Sequence, residues 1–262
     1  MKIINGIMYE EIKNIVLNAG DILLEGFYKD DKDIKSKKNR ELVTKYDLMS
    51  EKYLKEKLQL YDFDIIAEES KNPELSTKYW WVIDPLDGTN NFSFSIPHFC
   101  VTIALIKDKE VIFGIIYDPI KNEIYHAIKG ESAYLNNNPI NVSARKSLKE
   151  SMMATGFAYD RDKTGYNNLN NFNKITLKAK GIRRMGSAAL DLAYVSSGRY
   201  DGFWERGLKL WDMAAGKLLV EESGGKVTDI NGNNWDINKD NILATNKTLH
   251  ESVVENLERY NG

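Results

Sequence analysis

The stretch Trp80-Trp81-Val82-Ile83-Asp84-Pro85-Leu86-Asp87-Gly88-Thr89-Asn90-Asn91-Phe92 decides how the chain is read. Tyr79 to Ile83 is a short, bulky, β-rich run that stops at an aspartate, the pattern of a buried strand. Asp84 and Asp87 then flank a turn in which Pro85 fixes φ. Gly88 lets the backbone approach a ligand, and Thr89-Asn90 suit the first turn of a helix, where free N–H groups favour an anion. One segment thus offers oxygen donors for a cation and amides for a phosphate. The same residues also make an ordinary strand, turn and cap, because Asp-Pro and Asp-Gly pairs are common in turns.

The rest of the chain must choose between these readings. Its 262 residues allow one large domain or two closely packed halves. A hydrophobic content of 42% with 28% charged residues is that of a globular protein, not a disordered or fibrous one. The formal net charge of -2 supplies no global field for nucleic acid or an anionic membrane. No apolar run is long enough to span a bilayer, and Met1 to Gly6 lacks the signal-peptide pattern. A single cysteine, Cys100, excludes an internal disulfide, fits a reducing compartment, and sits in the apolar run Phe99 to Ile106 as a buried thiol. These features set the expectation of a cytoplasmic protein with neither nucleic-acid nor membrane partners. His98, His126 and His250 have no zinc-type spacing, so any metal should be a hard cation held by oxygen.

Outward from the central stretch, acids recur at element ends. Met8 to Tyr28 has helical periodicity, and Lys29 to Arg40 is a charged stretch, either a solvated loop or a hairpin arm. Leu42 to Thr44 is a short β-rich piece, and Asp47 can cap the helix that runs to about Leu60. Phe63 to Ala67 reads as a strand ending at Glu68-Glu69-Ser70, so that Glu68 and Asp84 can lie side by side at two strand ends. Phe99 to Ile106, Val111 to Tyr117, Glu123 to Ile128 and Ser132 to Leu135 form an antiparallel meander, which argues against a doubly wound parallel fold. Strands follow at Met152 to Thr155 and Ile182 to Met185, then a helix opened by Gly186-Ser187 whose N-terminus is a second anion or hydroxyl site. Gly202 to Glu205 is a strand. Trp211-Asp212 starts a helix to Glu222, Ile242 to Thr245 is a strand, and Lys247 to Tyr260 a closing helix.

Asp84-Pro85-Leu86-Asp87-Gly88-Thr89, with Glu68-Glu69-Ser70 upstream and Trp211-Asp212-Met213-Ala214-Ala215-Gly216 downstream, resembles the inositol monophosphatase family over nearly the whole chain. The resemblance implies an α+β fold, a layered α-β-α-β-α sandwich, usually a homodimer. The chain is then one phosphatase domain, residues 1–262, of two packed halves at about 1–145 and 146–262. It also implies a magnesium-dependent, lithium-sensitive phosphomonoesterase with two or three Mg2+ ions. In that scheme Glu68, Asp84 and the Leu86 carbonyl hold the first ion, and Asp84, Asp87 and Asp212 the second. A third, weaker ion lies near Glu68 and the loop around Lys35. Asp47, Glu68 and Thr89 form the catalytic set, with Asp47 and Thr89 orienting the attacking water. The amides of Gly88 and Thr89 receive the phosphate. Gly186, Ser187, Ala188, Glu205 and Asp212 contact the polyol, with Arg183 beside them.

The residues depart from the family pattern at Glu41, where Asp is usual, and at Asn90, where Thr is common. Neither is a ligand in that scheme. The reaction expected is hydrolysis of myo-inositol monophosphates by direct attack of a metal-activated water, without a phosphoenzyme. Relatives acting on NADP, phosphoadenosine phosphate or fructose 1,6-bisphosphate share the same core, and a protein-binding role is the alternative of another class.

Overall fold

Alternation along one strand sets the layering. Trp81 and Ile83 belong to one buried cluster, whereas Trp80 and Val82 belong to another. Period two sends successive side chains to opposite faces, so helices must cover both sides of this sheet. The computed structural model describes residues 6–37 and 41–260. Residues 1–5, where the sequence was read for a signal peptide, and residues 38–40 of the charged stretch lie outside the described residues.

In chain order, α1 (Gly6–Phe27) precedes a small antiparallel pair, β1 (Lys35–Ser36) and β2 (Leu42–Val43), so the charged stretch takes the hairpin-arm form. Then come α2 (Lys45–Leu58), β3 (Asp64–Ala67), β4 (Tyr79–Asp87) and the short α3 (Thr89–Ser93). The meander follows as β5 (Cys100–Lys107), β6 (Glu110–Asp118), β7 (Glu123–Ile128), β8 (Ala133–Leu135) and β9 (Asn138–Pro139). The remainder gives β10 (Met152–Thr155), α4 (Leu169–Thr176), β11 (Gly181–Arg183), α5 (Ala188–Ser196) and β12 (Gly202–Arg206). It closes with α6 (Leu210–Glu222), β13 (Gly225–Thr228), β14 (Asn241–Asn246) and α7 (His250–Val254).

A seven-stranded sheet runs in the order β3-β4-β5-β6-β7-β8-β9, with β3 parallel to β4 and the later pairs antiparallel. A five-stranded mixed sheet runs β11-β10-β12-β14-β13. α1 and α2 bury Ile12, Val16 and Leu54 against Trp81 and Ile83. α5 and α6 bury Leu192 and Leu218 between Trp80 and Val82 of the first sheet and Phe203 and Ile242 of the second. On the far side, Ile175 of α4 and Val253 of α7 pack on Trp204 and Leu243. Phe203 and Trp204 thus divide between two cores as Trp80 and Trp81 do. The outcome is an α+β sandwich layered α-β-α-β-α. Each such buried side chain contributes about 1.5–3 kcal/mol, so the sandwich rather than helix propensity fixes where strand ends meet.

The closing helix is shorter than Lys247 to Tyr260. A 3-10 turn covers Lys247–Leu249, and α7 ends at Val254. Side chains capture the rest of the backbone. Asn171 accepts from the Glu258 amide at 2.7 Å, and Asn231 holds both the amide and the carbonyl of Tyr260 at 2.8 and 2.6 Å. These local bonds replace the helical ladder.

Candidate active site

β4 does not stop at Asp84. It continues to Asp87, and its pairing with β5 slips between them: Asp84 faces Thr102 while Asp87 faces Cys100. Three steps on β4 oppose two on β5, which is a bulge holding one extra residue around Pro85. In a regular strand, positions three apart point to opposite faces. The bulge turns Asp87 back to the side of Asp84, so the Pro85-Leu86 insertion makes the acid pair. α6 brings Asp212 to them from the second half. One oxygen from each of Asp84, Asp87 and Asp212 lies within 4.8 Å of the others.

β3 adds the fourth acid. Ala67 pairs in parallel with Ile83, so Glu68 and Asp84 follow side by side at the two strand ends. All four carboxylates line one cavity of about 490 Å3, together with Gly88, Thr89 and the second-half residues below. Asp84 is anchored by the Leu86 amide at 2.9 Å, and Asp212 by the Lys209 amide at 2.7 Å.

Burial pushes the Asp84 carboxyl well above its ordinary range, and the charges of Glu68, Asp87 and Asp212 push it further. Asp212 rises through burial, then through Asp87 and Glu68. Glu68 rises to about 8 through burial, opposed by Lys37. A set of hard oxygen donors raised by burial, with Asp84 and Asp212 raised further by their acidic neighbours, lacks positive charge. That is the donor chemistry of an Mg2+ site, and these residues fit one. The Lys37 ammonium supplies part of the charge, 3.3 Å from Glu68 and bonded to Glu69. Lys35, in the same loop, pairs with Asp33 at 3.2 Å on the surface.

Asp47 is fully buried and is not the N-cap of α2. Thr44 is the cap, and Asp47 is the N3 partner of a capping box. Its Oδ2 accepts from the Thr44 amide at 2.8 Å and the Thr44 hydroxyl at 2.5 Å. Its Oδ1 faces the Thr89 hydroxyl at 3.0 Å. Capping therefore uses only one oxygen, and Asp47 stands behind Thr89 rather than in the cavity wall. Burial raises Asp47 to about 6. The Thr89 hydroxyl has a second acceptor, the Leu86 carbonyl, also at 3.0 Å. Gly88 takes φ +96, a conformation that favours glycine, and a Cβ there would lie 3.0 Å from the His98 carbonyl.

The second half forms the far wall. Glu205 is half-buried beneath Gly156, where a Cβ would come within 2.1 Å of its carboxylate. Burial raises Glu205 to about 8, and the Arg184 charge opposes this. Both arginines are exposed, but Arg184 lines the cavity, whereas Arg183 does not and donates to the Ile182 carbonyl at 3.1 Å. Arg184 lies one residue past the end of β11, so the arginine in the cavity is Arg184, not Arg183. Tyr159 also lines the cavity, and its hydroxyl meets Asn90 at 3.3 Å, joining the two walls. Gly186 and Ala188 line the cavity. Ser187 does too, but its hydroxyl donates to Asp87 at 2.6 Å. The N-terminus of α5 likewise meets an internal anion, since the Ala189 amide donates to Asp87 at 2.8 Å.

Lys37, Gly156, Tyr159 and Arg184 were missed from the sequence. Arg184 adjoins Arg183, and nothing local separates the two. Lys37 lay in a charge run without period, and Gly156 and Tyr159 lay in segments without a motif.

A layered sandwich with this acid cluster is the arrangement of a metal-dependent phosphatase. The chain belongs to the inositol monophosphatase family, whose profile matches residues 8–261. It is 43% identical over 220 residues to an inositol-1-monophosphatase from Synechocystis sp., covering 83% of this chain and 77% of that protein. It is 36% identical over 244 residues to a Nus factor SuhB from Pasteurella multocida, covering 92% of this chain and 91% of that one. The crystal structure of extragenic suppressor protein suhB from Bartonella henselae superposes with a TM-score of 0.90 at 34% identity, covering 97% of this chain and 99% of that one. The inositol monophosphatase from Anabaena gives 0.86 at 39%, covering 94% and 93%. Among the described residues no helix is long and apolar enough to cross a membrane.

Proposed function

We propose that the chain hydrolyses myo-inositol monophosphates, as a single domain spanning residues 1–262 with halves meeting near 145. The observation that carries this reading is the convergence of Asp84, Asp87 and Asp212 within 4.8 Å, beside a cavity that ends at Glu205 and Arg184. Glu68, Asp84, Asp87, Asp212 and the Leu86 carbonyl would hold two or three Mg2+ ions. When bound, Mg2+ neutralises the phosphate oxygens, makes a water nucleophilic and favours departure of the alkoxide.

The chain's own residues do the positioning. Thr89 directs its oxygen at the attacking water while its proton is held by Asp47 Oδ1, 3.0 Å away. The amides of Gly88 and Thr89 receive phosphate oxygens. The water oxygen forms the new P–O bond as the ester P–O bond breaks, and the water's protons finish on phosphate and on the released alcohol. Uncatalysed phosphomonoester hydrolysis is extremely slow, so most of the acceleration must come from charge and placement. Glu205 accepts from polyol hydroxyls, and Arg184 donates to them. No cysteine or histidine nucleophile takes part, since Cys100 is buried with its thiol pushed up by that burial.

Phosphate release from a panel of myo-inositol 1-phosphate, NADP, phosphoadenosine phosphate and fructose 1,6-bisphosphate, ranked by kcat/KM with Mg2+, tests the reading. Inositol phosphate at the top supports it, and a nucleotide or bisphosphate at the top replaces it. Inhibition by lithium, a homodimer on a sizing column and a cytoplasmic location belong to the same proposal. The relatives named Nus factor SuhB favour a second reading, a protein-binding role beside catalysis. A cell phenotype that survives Asp84→Asn would support it.

A further inference from the structure

One oxygen of Asp87 is saturated by the second half of the chain. Asp87 Oδ2 accepts from the Ser187 hydroxyl at 2.6 Å and the Ala189 amide at 2.8 Å, and the Cys100 thiol lies 3.9 Å away. Ser187 is 1% exposed and is the N-cap of α5, its oxygen accepting from the Leu190 amide at 3.4 Å. A hydroxyl has one proton. With that proton on Asp87 and a lone pair turned to the helix, nothing is left to donate to a substrate hydroxyl. The anion favoured by the α5 dipole is Asp87 itself.

A carboxylate with one oxygen fixed by several donors presents the other in a single orientation. We infer that Ser187, with the first turn of α5, is a positioning residue that locks Asp87 so that Oδ1 faces the cation, and that it is not a polyol contact. The cation site is then complete only when the second half docks on the bulge of β4, across 100 positions of sequence. The inference rests on the proposed role of Asp87 as a ligand.

The test is calorimetric titration of Mg2+ into the chelator-stripped full chain, with thermal unfolding in chelator recorded for each variant. Ser187→Ala and Ser187→Gly should weaken Mg2+ binding about tenfold or more, the usual effect of losing a group that orients a metal ligand. Ser187→Thr should restore affinity to within about threefold. Glycine is a tolerated N-cap, so the Gly variant separates the lost hydroxyl from the lost cap. Should the smaller variants not fold, Ser187→Cys, near-isosteric with a poor donor, must show the same weakening.

Unchanged Mg2+ affinity in a folded variant overturns the inference, and an accompanying rise in KM for the polyol phosphate makes Ser187 a substrate contact. Asp87→Asn separates the two levels. If it leaves Mg2+ binding intact, the reading of Asp87 as a ligand fails. If it weakens binding while the Ser187 variants do not, only the positioning role fails.

Discussion

The Thr89 hydroxyl lies 3.0 Å from Asp47 Oδ1, joining the first turn of α3 to the first turn of α2 across 42 positions of chain. Asp47 is a capping-box residue with one oxygen left over, and that oxygen and the Leu86 carbonyl are the two acceptors for the Thr89 proton. Local helix chemistry and the site share one side chain.

Asp47→Asn and Thr89→Ala should therefore lower kcat by about a hundredfold or more, the usual scale for removing a group that aims a reacting water, with KM little changed. Thr89→Ser should keep most of the activity. Steady-state kinetics at saturating Mg2+ checks this, and a loss confined to KM would place Thr89 in binding alone.

Asp212→Asn should move stability in opposite directions with and without metal. In chelator it removes one of several mutually repelling buried carboxylates, so Tm should rise by a few degrees, about 1 kcal/mol in a chain of this size. With excess Mg2+, the stabilisation seen in the parent should shrink. Differential scanning calorimetry in both buffers reads both signs, and a lower Tm in chelator would show that Asp212 is there for structure.

The pH dependence follows from the same cluster. Glu68 and Glu205 are raised to about 8 by burial, against an ordinary value of 4.5. A raised folded value means stability is fully present below the unfolded value and is lost as pH climbs through the folded one. The three histidines oppose this only at lower pH. Burial lowers His98, His126 and His250 to about 4 from 6.5, so their contribution is complete above pH 6.5 and lost as pH falls through about 4. Between pH 6.5 and 8 the carboxylates act alone. The metal-free chain should lose stability across that window, and Mg2+ should flatten the slope. Urea unfolding at fixed pH values checks it, with a rising metal-free profile as the contrary result.

Arg184→Ala should raise KM for the polyol phosphate about tenfold, as loss of one charged hydrogen bond implies, whereas Arg183→Ala should leave it unchanged. Gly156→Ala should act like Arg184→Ala, because its methyl must displace the Glu205 carboxylate. Equal effects from the two arginine variants would remove the distinction drawn by β11.

Much of this was legible in the sequence. The apolar run to Asp84, the acids after Ala67 and the Trp211-Asp212 helix start are local patterns, and the acid-bearing segments of the cavity came from them. What stayed hidden depends on long-range geometry. Tyr79 to Ile83 read as a complete strand because Pro85 normally ends one. Only pairing with β5 shows the bulge that carries β4 on to Asp87. Ser187 read as a polyol contact because nothing local reveals that its hydroxyl meets an aspartate 100 positions away. The last helix ends at Val254 because Asn171 and Asn231, distant in sequence, take the backbone groups of residues 258 and 260.

The most direct measurement is a crystal structure of the chain grown with Mn2+ in place of Mg2+, read by anomalous scattering. Peaks among Asp84, Asp87 and Asp212, with another against Glu68, are the result expected. A fully active enzyme whose crystals show no ion in that cavity would contradict the account.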